Sequence, residues 1–185
     1  AMSICSLGKR VISNASRLEA EMTRLPSEQI DIARFVRDVV RTYEGIGDSE
    51  TAVHVSFTDA TMGARLIVRG REGPLGQVLR NLIDNARSFS PASTTVEVRL
   101  DQTNEGPRTI ARLTVEDSGP GIPPDKLETI FNRFYTDRPK GTAFGNNSGL
   151  GLSIVKQIIA THRGKVWAEN KPDGGAKFTV DLPAV

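Results

Sequence analysis

Apolar positions Leu7, Val11, Ala15, Leu18, Met22 and Leu25 recur at intervals of 4, 4, 3, 4 and 3 residues. That is a heptad seam, and with Lys9, Arg10, Arg17, Glu19, Glu21 and Arg24 on the other faces it predicts a helix with one narrow apolar stripe. Such a stripe suits a partner helix in a bundle. Pro26 ends it. Asp31 is a good N-cap for a second helix whose apolar residues Ile32, Phe35, Val36, Val39, Val40 and Tyr43 follow helical spacing, with a stop expected at Gly45-Ile46-Gly47.

Val53–Phe57 and Arg65–Val68 read as strands, and Gly70 to Gly73 as the break before a helix that starts near Pro74. The apolar face of that helix is Leu75, Val78, Leu79, Leu82, Ile83 and Ala86, and its end is expected near Phe89-Ser90-Pro91. Thr95–Leu100 and Thr109–Glu116 are predicted as antiparallel strands joined by a loop over residues 101 to 107. A short helix is expected over Pro124–Ile130. Residues 136 to 148, TDRPKGTAFGNNS, have no period and the length of a functional loop, read here as a lid. A helix over Leu150–Thr161 and closing strands over Lys165–Glu169 and Lys177–Leu182 complete the chain.

Composition narrows the class. The 185 residues are 38% hydrophobic and 25% charged, ordinary globular usage. A net charge of +2 is too small to announce a nucleic-acid surface, so nucleic acid is not expected as a partner. The single cysteine, Cys5, cannot close a disulfide within the chain, which favours a reducing compartment. The first ten residues lack the order of a signal peptide, and the apolar runs are too short to span a bilayer. Ala1-Met2 suggests an added leader on a piece of a longer protein.

Three clusters carry candidate chemistry. Asn81 and Asn85 lie four apart on one helical face, opposite the apolar residues, and an amide oxygen is a hard ligand that suits Mg²⁺ alongside phosphate oxygens. Alone, such a pair would as readily hydrogen-bond a neighbouring loop. Asp117-Ser118-Gly119-Pro120-Gly121 breaks a strand with a carboxylate at the lip of a sheet, able to accept from an exocyclic amine, with glycines that allow a flat ring to approach. Ser148-Gly149-Leu150-Gly151-Leu152 opens a helix, where exposed backbone N–H groups attract anions.

Taken in order, these clusters resemble the catalytic, ATP-binding domain of sensor histidine kinases, within the GHKL group that also holds gyrase, Hsp90 and MutL ATPase domains. Asn81–Asn85 resembles the N box, Asp117–Gly121 the G1 box, Phe131–Tyr135 the F box and Gly149–Leu152 the G2 box. The match runs from about Asp31 to Pro183, and the stretch from Phe134 to Gly151 is similar to envelope sensors of the ChvG type. The resemblance implies an α+β fold: a two-layer, Bergerat-type mixed sheet covered by helices on one face. It divides the chain into residues 1–25, the remnant of a dimerisation bundle, and residues 26–185, the ATP-binding domain.

Carried over by position, the resemblance implies ATP and Mg²⁺ as cofactors. Asn85 would coordinate the metal, with Asn81 supporting the metal or the phosphates. Asp117 would read the adenine amine beside Gly119 and Gly121, and Gly149, Leu150, Gly151 and Leu152 would face the phosphates. Phe131 and Phe134 would anchor the base of the lid. Ser88 and Thr136 stand where the family often has basic residues; Arg87 lies one residue early, and Arg138 is the preferred lid cation for the γ-phosphate.

The reaction follows from one position. In the gyrase, Hsp90 and MutL branch a glutamate stands four residues before the metal-binding asparagine; here it is Asn81, which has no useful basicity near neutral pH. Hydrolysis should be poor. Transfer to a histidine needs no base here, because the imidazole arrives on a separate helical bundle. His54 and His162 are the only histidines and neither fits an acceptor, so the chain is expected to be inactive alone. The resemblance implies a homodimeric parent kinase, a downstream response regulator, and a cytoplasmic domain on an inner-membrane-anchored protein. Alternatives are a hydrolytic GHKL ATPase, a serine kinase of the anti-sigma type, and a degenerate docking module.

Overall fold

The computed structural model describes residues 27–43, 54–61, 63, 65–133, 135 and 149–185. The predicted helix over Leu7–Leu25, Gly45-Ile46-Gly47, Phe134, Arg138 and the loop 136–148 lie outside the described residues. Strand β1 (Glu28–Asp31) leads into helix α1 (Ile32–Arg41), capped as expected: the Arg34 N–H donates to Asp31 Oδ1 (3.2 Å). The helix ends earlier than its apolar spacing suggested. The Thr42 hydroxyl donates to the Val39 carbonyl (2.7 Å) and closes the last turn.

Strands β2 (His54–Asp59), β4 (Thr95–Glu105), β5 (Arg108–Glu116), β7 (Ala176–Pro183) and β6 (Lys165–Asn170) form one five-stranded sheet in the order β2-β4-β5-β7-β6. β2 runs parallel to β4 and the other pairs are antiparallel, so the sheet is mixed. β3 (Ile67–Gly70) pairs with β1 and touches the main sheet's last strand through a Val68–Ala184 bridge. The inner face of the sheet presents Val96, Val98, Leu100, Leu113, Val115, Phe178, Val180 and Leu182, all buried. Against it pack α1, α2 (Glu72–Phe89) and α3 (Gly151–Thr161) through Val36, Val40, Leu79, Leu82, Ile83, Val155 and Ile158. The opposite face carries Arg112, which makes a bidentate pair with Asp181 (2.8 and 2.7 Å) and lies over the Trp167 ring.

Several boundaries differ from the sequence reading. Residues 101 to 105 extend β4 instead of forming a loop, and the turn is only Gly106-Pro107. α2 begins at Glu72, with Gly73 and Pro74 inside its first turn, where proline's missing N–H costs nothing. The short helix expected over Pro124–Ile130 is two 3₁₀ turns, Pro124–Lys126 and Thr129–Phe131.

His162 fastens α3 to the start of α2. The Arg71 N–H donates to Nε2 (3.2 Å), which leaves the proton on Nδ1 facing the Ile158 carbonyl (2.8 Å). Burial pushes its pKa down, so the neutral ring is the form the fold selects. A structural role of this kind agrees with its exclusion as a phosphoryl acceptor.

Candidate active site

The site forms where the C-terminal half of α2, the end of β5, the β6–β7 turn and the start of α3 meet. Asp117 follows the last residue of β5 and is 3% exposed. Its backbone continues the sheet for one more rung, the N–H donating to the Ala176 carbonyl (2.9 Å). Its Oδ1 then accepts from two backbone N–H groups, Gly119 (2.9 Å) and Ala176 (2.9 Å). Oδ2 takes no partner among the described residues. A carboxylate fixed by one oxygen and open at the other is an oriented hydrogen-bond acceptor.

The glycines of this loop are required by the protein itself. A Cβ on Gly119 would lie 2.8 Å from the Phe89 carbonyl oxygen, and one on Gly121, at φ +79°, would lie 2.8 Å from Asn170 Oδ1. Both hold the loop tightly against its surroundings, a reason additional to ring approach. The loop is further tied to α2 by Ser118, whose N–H points at Ser90 Oγ at 3.4 Å. Gly175, at φ +87°, is a residue the sequence reading left without a role: a Cβ there would overlap the Asp117 carbonyl oxygen.

On α2, Asn81 and Asn85 share a face as predicted, and Leu82, Ile83 and Ala86 are buried on the other. The Asn81 Nδ2 donates to the Gly151 carbonyl (3.2 Å), which brings the N box and the G2 box together across 70 residues. This orients the Asn81 amide oxygen away from Gly151. The Asn85 carboxamide has no hydrogen-bond partner among the described residues. A neutral oxygen donor with no protein partner fits a hard cation as a minority ligand, and no cluster of three His, Cys, Asp or Glu occurs among the described residues to form an all-protein metal cage.

The start of α3 has Gly149 at φ +65° and Leu150 as N-cap, with no side-chain cap. Its first-turn amides, from Gly151 onward, are left for a ligand or solvent. The Leu152 side chain is partly buried against the core. Phe131 is buried and meets Phe178 edge-on at 6.4 Å, which anchors the 3₁₀ turn Thr129–Phe131.

Arg87, the cation one residue early, is directed elsewhere. Its guanidinium lies over the Tyr43 ring (5.5 Å) on the α1 side of α2, while the Tyr43 hydroxyl donates to Asp84 Oδ1 (3.0 Å). Burial, then the Asp84 carboxylate, pushes the Tyr43 pKa up and keeps the phenol protonated. Phe89, at the end of α2, is 39% exposed, one of two large apolar side chains exposed among the described residues.

A family model described as "Histidine kinase-, DNA gyrase B-, and HSP90-like ATPase" matches residues 70–185, which takes in α2 and every described element after it. The chain belongs to that family. It is 43% identical over 182 residues to the sensor protein ChvG of Rhizobium meliloti (strain 1021), covering 94% of this chain and 31% of that protein. The chain thus spans about a third of that relative. Among solved structures, the mycobacterial sensor histidine kinase MprB superimposes with TM-score 0.67 at 29% identity, covering 85% of this chain and 97% of that one. Full-length ShkA in complex with AMPPNP gives TM-score 0.70 at 26% identity, covering 92% of this chain and 34% of that one. The family, the α+β fold and the homology to ATP-binding catalytic domains of sensor histidine kinases are therefore as the four boxes implied.

Proposed function

We propose that residues 26–185 form the ATP-binding catalytic domain of a sensor histidine kinase, and that residues 1–25 are the end of its dimerisation bundle. The observation that carries the reading is Asp117, pinned through Oδ1 and open at Oδ2, beside an N box and a G2 box joined by the Asn81–Gly151 hydrogen bond. An open carboxylate oxygen accepts the exocyclic amine of adenine and rejects the carbonyl that guanine presents. The uncapped amides from Gly151 onward receive phosphate oxygens. Asn85 would hold Mg²⁺ together with those phosphates. Bound there, the metal would neutralise charge on the leaving oxygens. Full-length ShkA, one of the structural relatives, was solved with AMPPNP, an ATP analogue, which supports nucleotide as the ligand class.

In the transfer, the bond from the γ-phosphorus to its bridging oxygen breaks as a bond to the acceptor imidazole nitrogen forms, and ADP leaves. The chain's part is positioning. Asp117 fixes the base end, Asn81 and the G2 amides fix the phosphate end, and Arg138 supplies lid charge. Asn81 cannot polarise water, since an amide is no base and its nitrogen is held by Gly151. The imidazole comes from the helical bundle of the same kinase, which is a homodimer, and the phosphoryl group passes on to a response regulator. The parent is anchored in the inner membrane with this domain in the cytoplasm; no helix among the described residues is long and apolar enough to cross a membrane.

Incubation with γ-labelled ATP tests the proposal. The chain alone should give no phosphohistidine and little free phosphate, and addition of the parent kinase's acceptor bundle should place label on the bundle. Steady phosphate release without a bundle would instead favour a hydrolytic ATPase.

A further inference from the structure

The G1 loop leaves the sheet at Asp117 and has few regular backbone partners until the 3₁₀ turn at Pro124. Between them the chain runs Asp117-Ser118-Gly119-Pro120-Gly121-Ile122-Pro123, with two prolines that cannot donate. Its first half is anchored by Asp117 itself. Its second half is held by the Ile122 side chain, which packs against the core, and by one side chain from the end of β6. The Ile122 N–H donates to Asn170 Oδ1 (2.7 Å), and Asn170 Nδ2 donates back to the Ile122 carbonyl (2.7 Å). One carboxamide thus occupies both backbone groups of one residue, as a neighbouring strand would.

We propose that Asn170 is the positioning residue of the base pocket. It acts through Ile122 and touches no ligand, and the inference rests on the nucleotide reading of the site given above. Three observations support it. Asn170 ends β6 and is exposed, so it contributes nothing to the core. Gly121 has a positive φ and no side chain at the point where a Cβ would strike Asn170 Oδ1, so the loop is shaped around this carboxamide. Asn170 also pairs in register with Ala176, whose N–H holds Asp117 Oδ1. The β6–β7 turn therefore grips the loop at two points, Asp117 through Ala176 and Ile122 through Asn170. The turn is itself closed by Lys171 N–H to the Gly175 carbonyl (3.0 Å) and Gly174 N–H to the Lys171 carbonyl (3.2 Å).

The side chain has little latitude. Aspartate lacks the donor and would set a charge against the Ile122 carbonyl, and glutamine carries the amide one methylene too far. Loss of the tether loosens the Ile122 backbone, then held only by its side-chain packing, while Asp117 stays in place, so the base is positioned less tightly against the carboxylate. The phosphate end, built from α2 and α3, is untouched.

The test uses the ligand-free chain and two ligands, Mg·AMPPNP and Mg·tripolyphosphate, which has the phosphates without the base. In Asn170→Ala the Ile122 amide should exchange with solvent about tenfold faster or more. AMPPNP affinity should fall by about tenfold while tripolyphosphate affinity and the melting temperature stay unchanged. Unchanged exchange at Ile122 would overturn the proposal. So would equal weakening of both ligands together with a lower melting temperature, which would mark Asn170 as a general fold element. If AMPPNP binds neither the unmutated chain nor the variant, the nucleotide reading fails, and the exchange rate at Ile122 still decides whether Asn170 holds the loop.

Discussion

Asp117→Asn should lower nucleotide affinity by at least about 100-fold while leaving the fold nearly intact. The asymmetry comes from Oδ1. Two backbone N–H groups, Gly119 and Ala176, aim at that atom, so the amide must place its oxygen there and its nitrogen in the open position. The new NH₂ then faces the exocyclic amine of adenine, donor against donor. The alternative rotamer would put the NH₂ against both backbone donors, at a cost of two hydrogen bonds, one of them buried. Calorimetric titration with AMPPNP alongside a melting curve separates the two outcomes. A loss of affinity with a melting temperature within a few degrees of the unmutated chain is expected; full affinity would remove Asp117 from the site.

The second large effect is structural. Gly175→Ala should destabilise the chain by roughly 3 kcal/mol or more, a fall in melting temperature of about 10 °C for a chain this long. Two causes add. Gly175 has φ +87°, where an L side chain is strained, and its Cβ would overlap the Asp117 carbonyl oxygen, a backbone atom with no rotamer to yield. Relief requires moving either the β6–β7 turn or the end of β5, and either shift pulls the Ala176 N–H off Asp117 Oδ1. Nucleotide binding should therefore fall with stability in this variant. That differs from Asp117→Asn, in which only binding falls. Thermal unfolding read by far-UV circular dichroism checks the magnitude, and a melting temperature unchanged by the substitution would contradict it.

Helices α1 and α2 were legible because their signals are local. Asp31 caps α1 within three residues, and the apolar spacing of α2 matches its buried face from Leu75 to Ala86. The sheet was legible in its apolar cores and blurred at its ends. Residues 101 to 105 look like a loop because they are polar, yet they pair in register with β5, Asp101 opposite Arg112 and Thr103 opposite Ile110. Backbone pairing carries those positions, and polarity says little about it. Pro74 was read as a start signal when it sits inside the first turn. The parallel pairing of β2 with β4 had no local signature at all.

The site divides in the same way. Asn81, Asp117 and Gly151 announce themselves by motif, and the Asn81–Gly151 hydrogen bond joins two of the boxes. Asn170 and Gly175 lie in stretches that resemble the family's closing strands, but nothing local marks them as site residues, because their partners lie 48 and 58 residues away. Position-by-position likeness also left Arg87 open as a substitute phosphate cation. Its stacking on Tyr43 takes it to the other flank of the helix.

Nucleotide binding that depends on a divalent ion is the core of the proposed function. Calorimetric titration of the unmutated chain with AMPPNP, once with Mg²⁺ and once with EDTA, tests it most directly. The account predicts one saturable site per chain with Mg²⁺ and a marked loss of affinity without it. No binding under either condition would contradict the account.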